Sequence, residues 1–461
     1  MELVAGASDP VDTPDAADLA HARVVITVAS LGFFLITLDI SIVNVALASI
    51  RADLGGGTIG QQWVIDGYTL LFACLLLFAG NLADRIGAKR SLALGIVVFT
   101  ITSAACAAAP SAAALIAARC AQGAGAAIML PASMALVREA FPSPRRRARA
   151  LGVWAVGGAV AGLVGQPLGG VLTTLDWRWV FTINVPVCLA MLAFLTVVAA
   201  SPRRPRPFDW AGQVLAIVTL SALVYGLIDG GHAGFGSPPV VVTLAVAVLG
   251  TAAFLRVQAR TAHPMMPLTL FHARGVQIAL PVGFAFMAGT FGNVFVVSLY
   301  LQQHLGLSPA RAGLVFVPSA IFAIAGNLGS GPVSNRFGAR LPIVAGLSSM
   351  GVGLVGLAAT LSLGAVTPIV VFLCFIGAGG SLAMPPVTAV VLEGVQPEQT
   401  GIASAVFNTF RQVGGAVAIA VFGALVSGAF LAGARASLLI AAALVTAAAL
   451  LSLNVPVRTH H

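Results

Sequence analysis

Apolar runs of about 20 residues, the length that crosses a bilayer core, recur fourteen times along this chain of 461 residues. They fall at 24–48, 61–80, 91–109, 112–137, 148–172 and 179–200, then 210–228 and 240–255. The last six are 276–301, 310–329, 341–361, 366–392, 401–429 and 437–455, and the eighth run is the shortest of all. Short loops rich in turn residues, such as FPSPRRRAR and SPRRPRPF, separate them and leave no room for a soluble domain. Only 8% of residues are charged, against about 25% in a soluble domain. That excludes a soluble enzyme, a disordered chain and a disulfide scaffold. Cys74, Cys106, Cys120, Cys188 and Cys374 all lie in apolar runs without a CxxC pair, and no histidine has a partner at metal-ligand spacing. The expected fold is an all-α polytopic membrane protein.

The net charge of +9 could mark a nucleic-acid surface or a membrane topology, and its placement decides. With the N-terminus in the cytoplasm and alternating spans, 18 of the 24 Lys and Arg fall in cytoplasmic segments, 4 fall outside, and Arg119 and Arg411 lie within spans. The charge therefore orients helices, with both termini inside. Residues 1–22 carry Glu2, Asp9, Asp12, Asp15 and Asp18 and no cation, the wrong sign for a signal peptide. They are expected to form a disordered acidic cytoplasmic tail.

The chain echoes itself. GNLADRIGAKR, residues 80–90, follows the second run, and GPVSNRFGAR, residues 331–340, follows the tenth. Two six-helix bundles, 23–200 and 263–456, with a two-helix insertion at 201–262 and a short tail at 457–461, account for this spacing. These residues resemble the major facilitator superfamily, and within it the 14-span drug:proton antiporter branch. GNLADRIGAKR is similar to the family's loop after helix 2, and RCAQGAGAA (119–127) to its helix-4 pattern. LDISIVNVAL (38–47), WRWVFTINVP (177–186) and NTFRQVGG (408–415) are similar to patterns of the branch. The chain departs from the pattern at GQPLGG (165–170), where Gln166 replaces an expected proline, and at Ala48 and Asn335. The resemblance implies the major facilitator fold and a proton-coupled secondary transporter of the bacterial cytoplasmic membrane. It would export a small lipophilic drug, antibiotic or metabolite by alternating access. It implies no cofactor beyond the coupling proton, a small-molecule substrate, lipid as surroundings, no nucleic acid, and a monomer.

Ionisable groups inside hydrocarbon cost a few kcal/mol each and need a reason to be there. Asp39, Asp66, Arg119 and Arg411 are four such groups. At about 1.5 Å per residue, Asp39, Asp66 and Arg119 lie about 14, 9 and 10 Å from the outer ends of their helices. They form one expected proton-coupling cluster. Asp39 is the first choice for the proton site, because a low dielectric makes a carboxylate easier to protonate. The alternative is a permanent tie to Arg119. Asp66 is either a second proton or substrate-cation site, or an acid snorkelling to water. Asn44, Asp66 and Arg411 are the candidate substrate contacts, with a hydrogen-bonded structural role the favoured alternative for Arg411. Two membrane carboxylates favour a cationic cargo. Asp84, Arg85 and Arg90 form a candidate gating latch in the loop after the second span. Gly165, Gln166, Pro167, Gly169 and Gly170 form a candidate hinge or seal.

Three rivals remain at this level. Proton-coupled uptake is kept open by Gln166. A membrane-embedded transferase would need a His/Asp or Cys/His cluster in a loop, and the sequence offers none. A non-transporting sensor would tolerate loss of Asp39.

Overall fold

The computed structural model describes residues 16–203, 207–396 and 399–455, and these are helical with no strand among them. Fourteen helices are long and apolar enough to cross a bilayer. In chain order they are α1 (His21–Leu54), α2 (Gly57–Ile86), α3 (Ala88–Ala107), α4 (Ala112–Ala140), α5 (Arg149–Leu175), α6 (Trp179–Thr196) and α7 (Trp210–Ala233). They continue with α8 (Pro238–Arg260), α9 (Arg274–His304), α10 (Pro309–Phe337), α11 (Arg340–Leu363), α12 (Val366–Glu393), α13 (Thr400–Val426) and α14 (Phe430–Ser452).

Helix boundaries depart from the hydropathy runs where helix formation continues beyond the apolar stretch. The α1 helix already begins at Ala16, because AADLAHAR is rich in good helix formers. Residues 16–22 are thus helical rather than tail, and 1–15 and 456–461 lie outside the described residues. The eighth span reaches 23 residues, longer than its apolar core alone. In α6 the backbone breaks at Ile183. Pro186 lacks an N–H, and its ring crowds the carbonyl four residues earlier, at Thr182.

Packing repeats with an offset of eight helices. In the first half α1 packs on α5, α2 and α3 on α4, and α3 on α6; in the second, α9 packs on α13, α10 and α11 on α12, and α11 on α14. The turns after α2 and α10, which carry the sequence echo, also match in backbone. Gly87 and Gly338 both adopt positive φ, 90° and 77°, a conformation that glycine enters without strain. The α7–α8 hairpin lies outside this repeat, with α7 resting on both α2 and α13.

The apolar core shows how the halves meet. Ile42, Val43, Leu47 and Ile50 of α1 belong to the same buried cluster as the second half. Val25, Leu35, Leu76 and Leu92, toward the other end of the first half, belong to a separate one. The halves are therefore fused at the end that carries the α1–α2 turn. At that end Ser298 Oγ donates to Asn44 O at 3.0 Å, and Gln62 Nε2 donates to Ala420 O at 2.8 Å.

Candidate functional site

Asp39 stands deep in α1, about 22 Å of helix from Leu54, and is fully buried. Its Oδ2 is ion-paired with Arg119 Nη1 of α4. Its Oδ1 accepts from Gln122 Nε2 at 2.9 Å and from Asn184 Nδ2 at 3.0 Å. Arg119 and Gln122 are three residues apart, so they share one helix face, and Arg119 Nη1 also donates to Gln122 Oε1 at 2.7 Å. Ser103 Oγ of α3 accepts from Gln122 Nε2 at 2.8 Å and so closes the network. The break before Asn184 starts a fresh helical turn there, which carries the amide to Asp39. Arg119 is held further by Nε donating to Val64 O at 2.9 Å, with its guanidinium 4.3 Å from the Tyr68 ring and 5.7 Å from that of Phe181.

The cluster is electrically neutral while Asp39 is ionised. A proton on Asp39 removes the counter-charge of a buried guanidinium that cannot itself deprotonate.

Asp66 is not part of this network. It follows Val64 and precedes Tyr68 by two residues, and two residues turn a helix by about 200°, so it points away from Arg119. Gln62 and Leu70, one turn to either side, meet α13 through Ala420 and Ala416, which places Asp66 on that face. Its Oδ1 has only a long contact, 3.4 Å, from Thr69 of its own helix, and its Oδ2 has no partner. It is fully buried, so the snorkelling alternative does not describe it. The single three-member cluster expected from depth resolves into a pair and a separate acid, because equal depth says nothing about rotation around the helix.

Asn44 lies at the junction of the halves. Its Nδ2 donates to Ile40 O at 2.7 Å, and its Oδ1 is buried without a partner. Arg411 of α13 has no ion pair among the described residues. Its Nη1 donates to Asn408 Oδ1 at 3.1 Å, while its Nε is buried with no acceptor.

The latch candidates point three ways. Asp84 borders a cavity of about 340 Å³ together with Arg138, Glu139, Arg147 and Pro202. Arg85 lies over the Phe208 ring at 4.9 Å, and Arg90 is exposed. Asp84 thus shares a cavity with residues of α4 and of the segment leading into α5. The α5 candidates do converge. Cβ atoms built at Gly165 and Gly169 would lie 2.6 Å from Ser41 Cβ and Ile42 O of α1, and one at Gly170 would lie 2.5 Å from Pro309 O of α10. Gln166 is buried with Oε1 unpartnered, and Pro167 lies within the helix.

Sequence reading named no role for Ser103, Gln122, Asn184 or Tyr68. Gln122 and Asn184 stand inside two of the motifs singled out above, but a neutral amide in an apolar run does not announce itself as a charge does.

Comparison with known proteins agrees with this architecture. The family model of the Major Facilitator Superfamily matches residues 29–419. A methylenomycin A resistance protein of Streptomyces coelicolor is 36% identical over 403 residues, covering 86% of this chain and 84% of that protein. A cephamycin export protein of Amycolatopsis lactamdurans is 38% identical over 438 residues, covering 91% and 88%. In fold, the crystal structure of a D-xylose-proton symporter superposes with a TM-score of 0.68 at 15% identity, covering 94% of this chain and 97% of that one. The chain belongs to the Major Facilitator Superfamily and is a multi-pass membrane transporter.

Proposed function

We propose that this transporter exports a small lipophilic molecule, an antibiotic or pathway product, from a bacterial cytoplasm in exchange for protons. The observation that carries the reading is the fully buried Asp39–Arg119 pair and its amide ring. It is a site where one proton changes the charge balance of five converging helices. The printed names of the relatives, resistance and export proteins, support the direction. The distribution of cations supports cytoplasmic termini, which puts the fused α1–α2 end outside and makes this an inward-facing arrangement.

In this scheme Asp39 loads a proton when the site faces outward and releases it inward, with Arg119 taking the carboxylate back on release. Asp66, on the α2 face toward the second half, is a second protonation site. The bodies 23–200 and 263–456 rock about the α5–α10 and α2–α13 seams. The insertion 201–262 rides on α2 and α13. Asp84, through the cavity it shares with Arg138 and Arg147, holds the inner end of the first half. The carrier works as a monomer in lipid and takes no cofactor besides the proton.

Everted membrane vesicles energised by respiration test this. Labelled methylenomycin A or a cephamycin should accumulate, a protonophore should release it, and Asp39→Asn should abolish the accumulation. Accumulation in right-side-out vesicles instead would establish uptake, the reading that Gln166 keeps in view.

A further inference from the structure

We propose that Arg411 is the docking point for an acidic group of the cargo, so that the transported molecule is a lipophilic carboxylate. This rests on the export reading and names its substrate class. It departs from the cationic cargo that two membrane acids favour in the sequence.

The argument begins with charge. Arg411 lies about 16 Å from one end of α13 and about 22 Å from the other, at the depth where an unpaired cation is most costly. A guanidinium cannot relieve that cost by losing its proton. Acids are scarce in its own half. Between Asp229 and Glu393 the sequence contains no Asp or Glu, and beyond Glu398 there is none. Of the two acids inside the spans of the first half, Asp39 is consumed by Arg119, Gln122 and Asn184. Asp66 forms no ion pair with Arg411. Among the described residues Arg411 thus has no acidic partner.

The surroundings suit a carboxylate on an apolar body. Arg411 is only partly buried, with Nη1 anchored on Asn408 and Nε without an acceptor. The anchoring fixes the fork, and a planar guanidinium fork matches a carboxylate in bidentate fashion. The rings of Phe286 from α9 and Phe407 from α13 each lie 5.8 Å from the guanidinium carbon. Together they form an aromatic wall beside the charge. Gly283 of α9 lets this wall and the Arg411 stem pack close to the helix, since a Cβ there would lie 2.6 Å from Phe407 Cε2 and 2.9 Å from Arg411 Cγ. For a cationic cargo Asp39 is already neutralised by Arg119, which leaves Asp66, with Oδ2 unpartnered, as the competing seat that the ammonium probe below tests. Energetics agree with export: an anion leaving an inside-negative cell and a proton entering it move charge in the same sense.

The test uses the purified full-length transporter in lipid nanodiscs and three matched probes. They are anthracene-9-carboxylate, its methyl ester and 9-anthracenylmethylammonium, with binding read by calorimetry and by thermal shift. The carboxylate should bind at least tenfold tighter than either analogue. Arg411→Gln should weaken carboxylate binding about 10- to 100-fold and leave the ester unchanged, which also reports that the variant is folded. Arg411→Lys should retain part of the preference. Failure of the carboxylate to bind, tighter binding of the ammonium, or indifference of the carboxylate to Arg411→Gln overturns the proposal. If Arg411→Gln does not fold, the acid-to-ester ratio on the parent protein and on Arg411→Lys decides. Carboxylate selectivity without proton-driven transport would sink the export reading and leave this site standing. Proton-driven export indifferent to Arg411→Gln would do the reverse.

Discussion

Asp39 and Arg119 cancel each other only while the carboxylate is ionised, and that makes the pair informative about both stability and coupling. Removing one charge from a buried pair costs about 3–5 kcal/mol, because the partner stays buried and unpaired. Asp39→Asn should therefore lower the thermal midpoint in detergent, and Asp39→Asn/Arg119→Gln should recover most of the loss while remaining unable to transport. If the double variant melts as low as the single one, the charge imbalance is not the cause. Gln122→Ala and Asn184→Ala each strip a donor from a buried carboxylate, at about 1–3 kcal/mol. Both should melt below the parent, whereas Asn454→Ala, at an exposed position, should not. The two charges were legible in the sequence because each interrupts an apolar run. The three neutral partners of Asp39 and Gln122 were not, because serine and amides are tolerated in lipid-spanning helices and only tertiary contact gives them a role. The orientation of Asp66 was equally hidden, since depth follows from counting residues but facing follows from packing.

At the scale of helices, glycine sets how closely the halves meet. Gly170 faces Pro309 O across the α5–α10 seam, so Gly170→Val should force that seam apart. Spin labels placed on the α1–α2 and α9–α10 turns should then show a longer mean distance than in the parent. An unchanged distance distribution would remove α5 as a seal. The two matching turns offer an internal control. A Cβ at Gly87 would lie 2.9 Å from Ser201 O, whereas one at Gly338 meets nothing within 4 Å. Both substitutions to Ala strain a positive φ with extended ψ, a region essentially reserved for glycine, by about 1–3 kcal/mol. Gly87→Ala should be the more destabilising in thermal unfolding because it adds a clash. All fourteen spans were readable from hydropathy, and the echo at 80–90 and 331–340 located the repeat. Helix ends were less readable, because α1 and α9, at 34 and 31 residues, run past the length that lipid demands. The surroundings of the latch residues, Phe208 under Arg85 and a cavity beside Asp84, were not readable, since a loop of known sequence does not reveal what its side chains meet.

For the whole molecule, the pseudo-repeat supplies two bodies of like construction, joined by a shared apolar core at one end. The asymmetry lies in the charges. The first half holds the neutral Asp39–Arg119 pair, and the second holds Arg411 deep in α13, without an ion pair among the described residues. In the proposed scheme the halves have different tasks, proton exchange in one and cargo recognition in the other, joined by a common rocking motion. The central claim is that Asp39 couples the two. Its most direct measurement is proton flux in proteoliposomes of the purified transporter, read with a trapped pH dye while an outward cargo gradient is imposed at zero membrane potential. The account predicts proton movement opposite to the cargo, abolished in Asp39→Asn even though cargo still binds. Proton flux that persists in Asp39→Asn, or that runs in the same direction as the cargo, would contradict it.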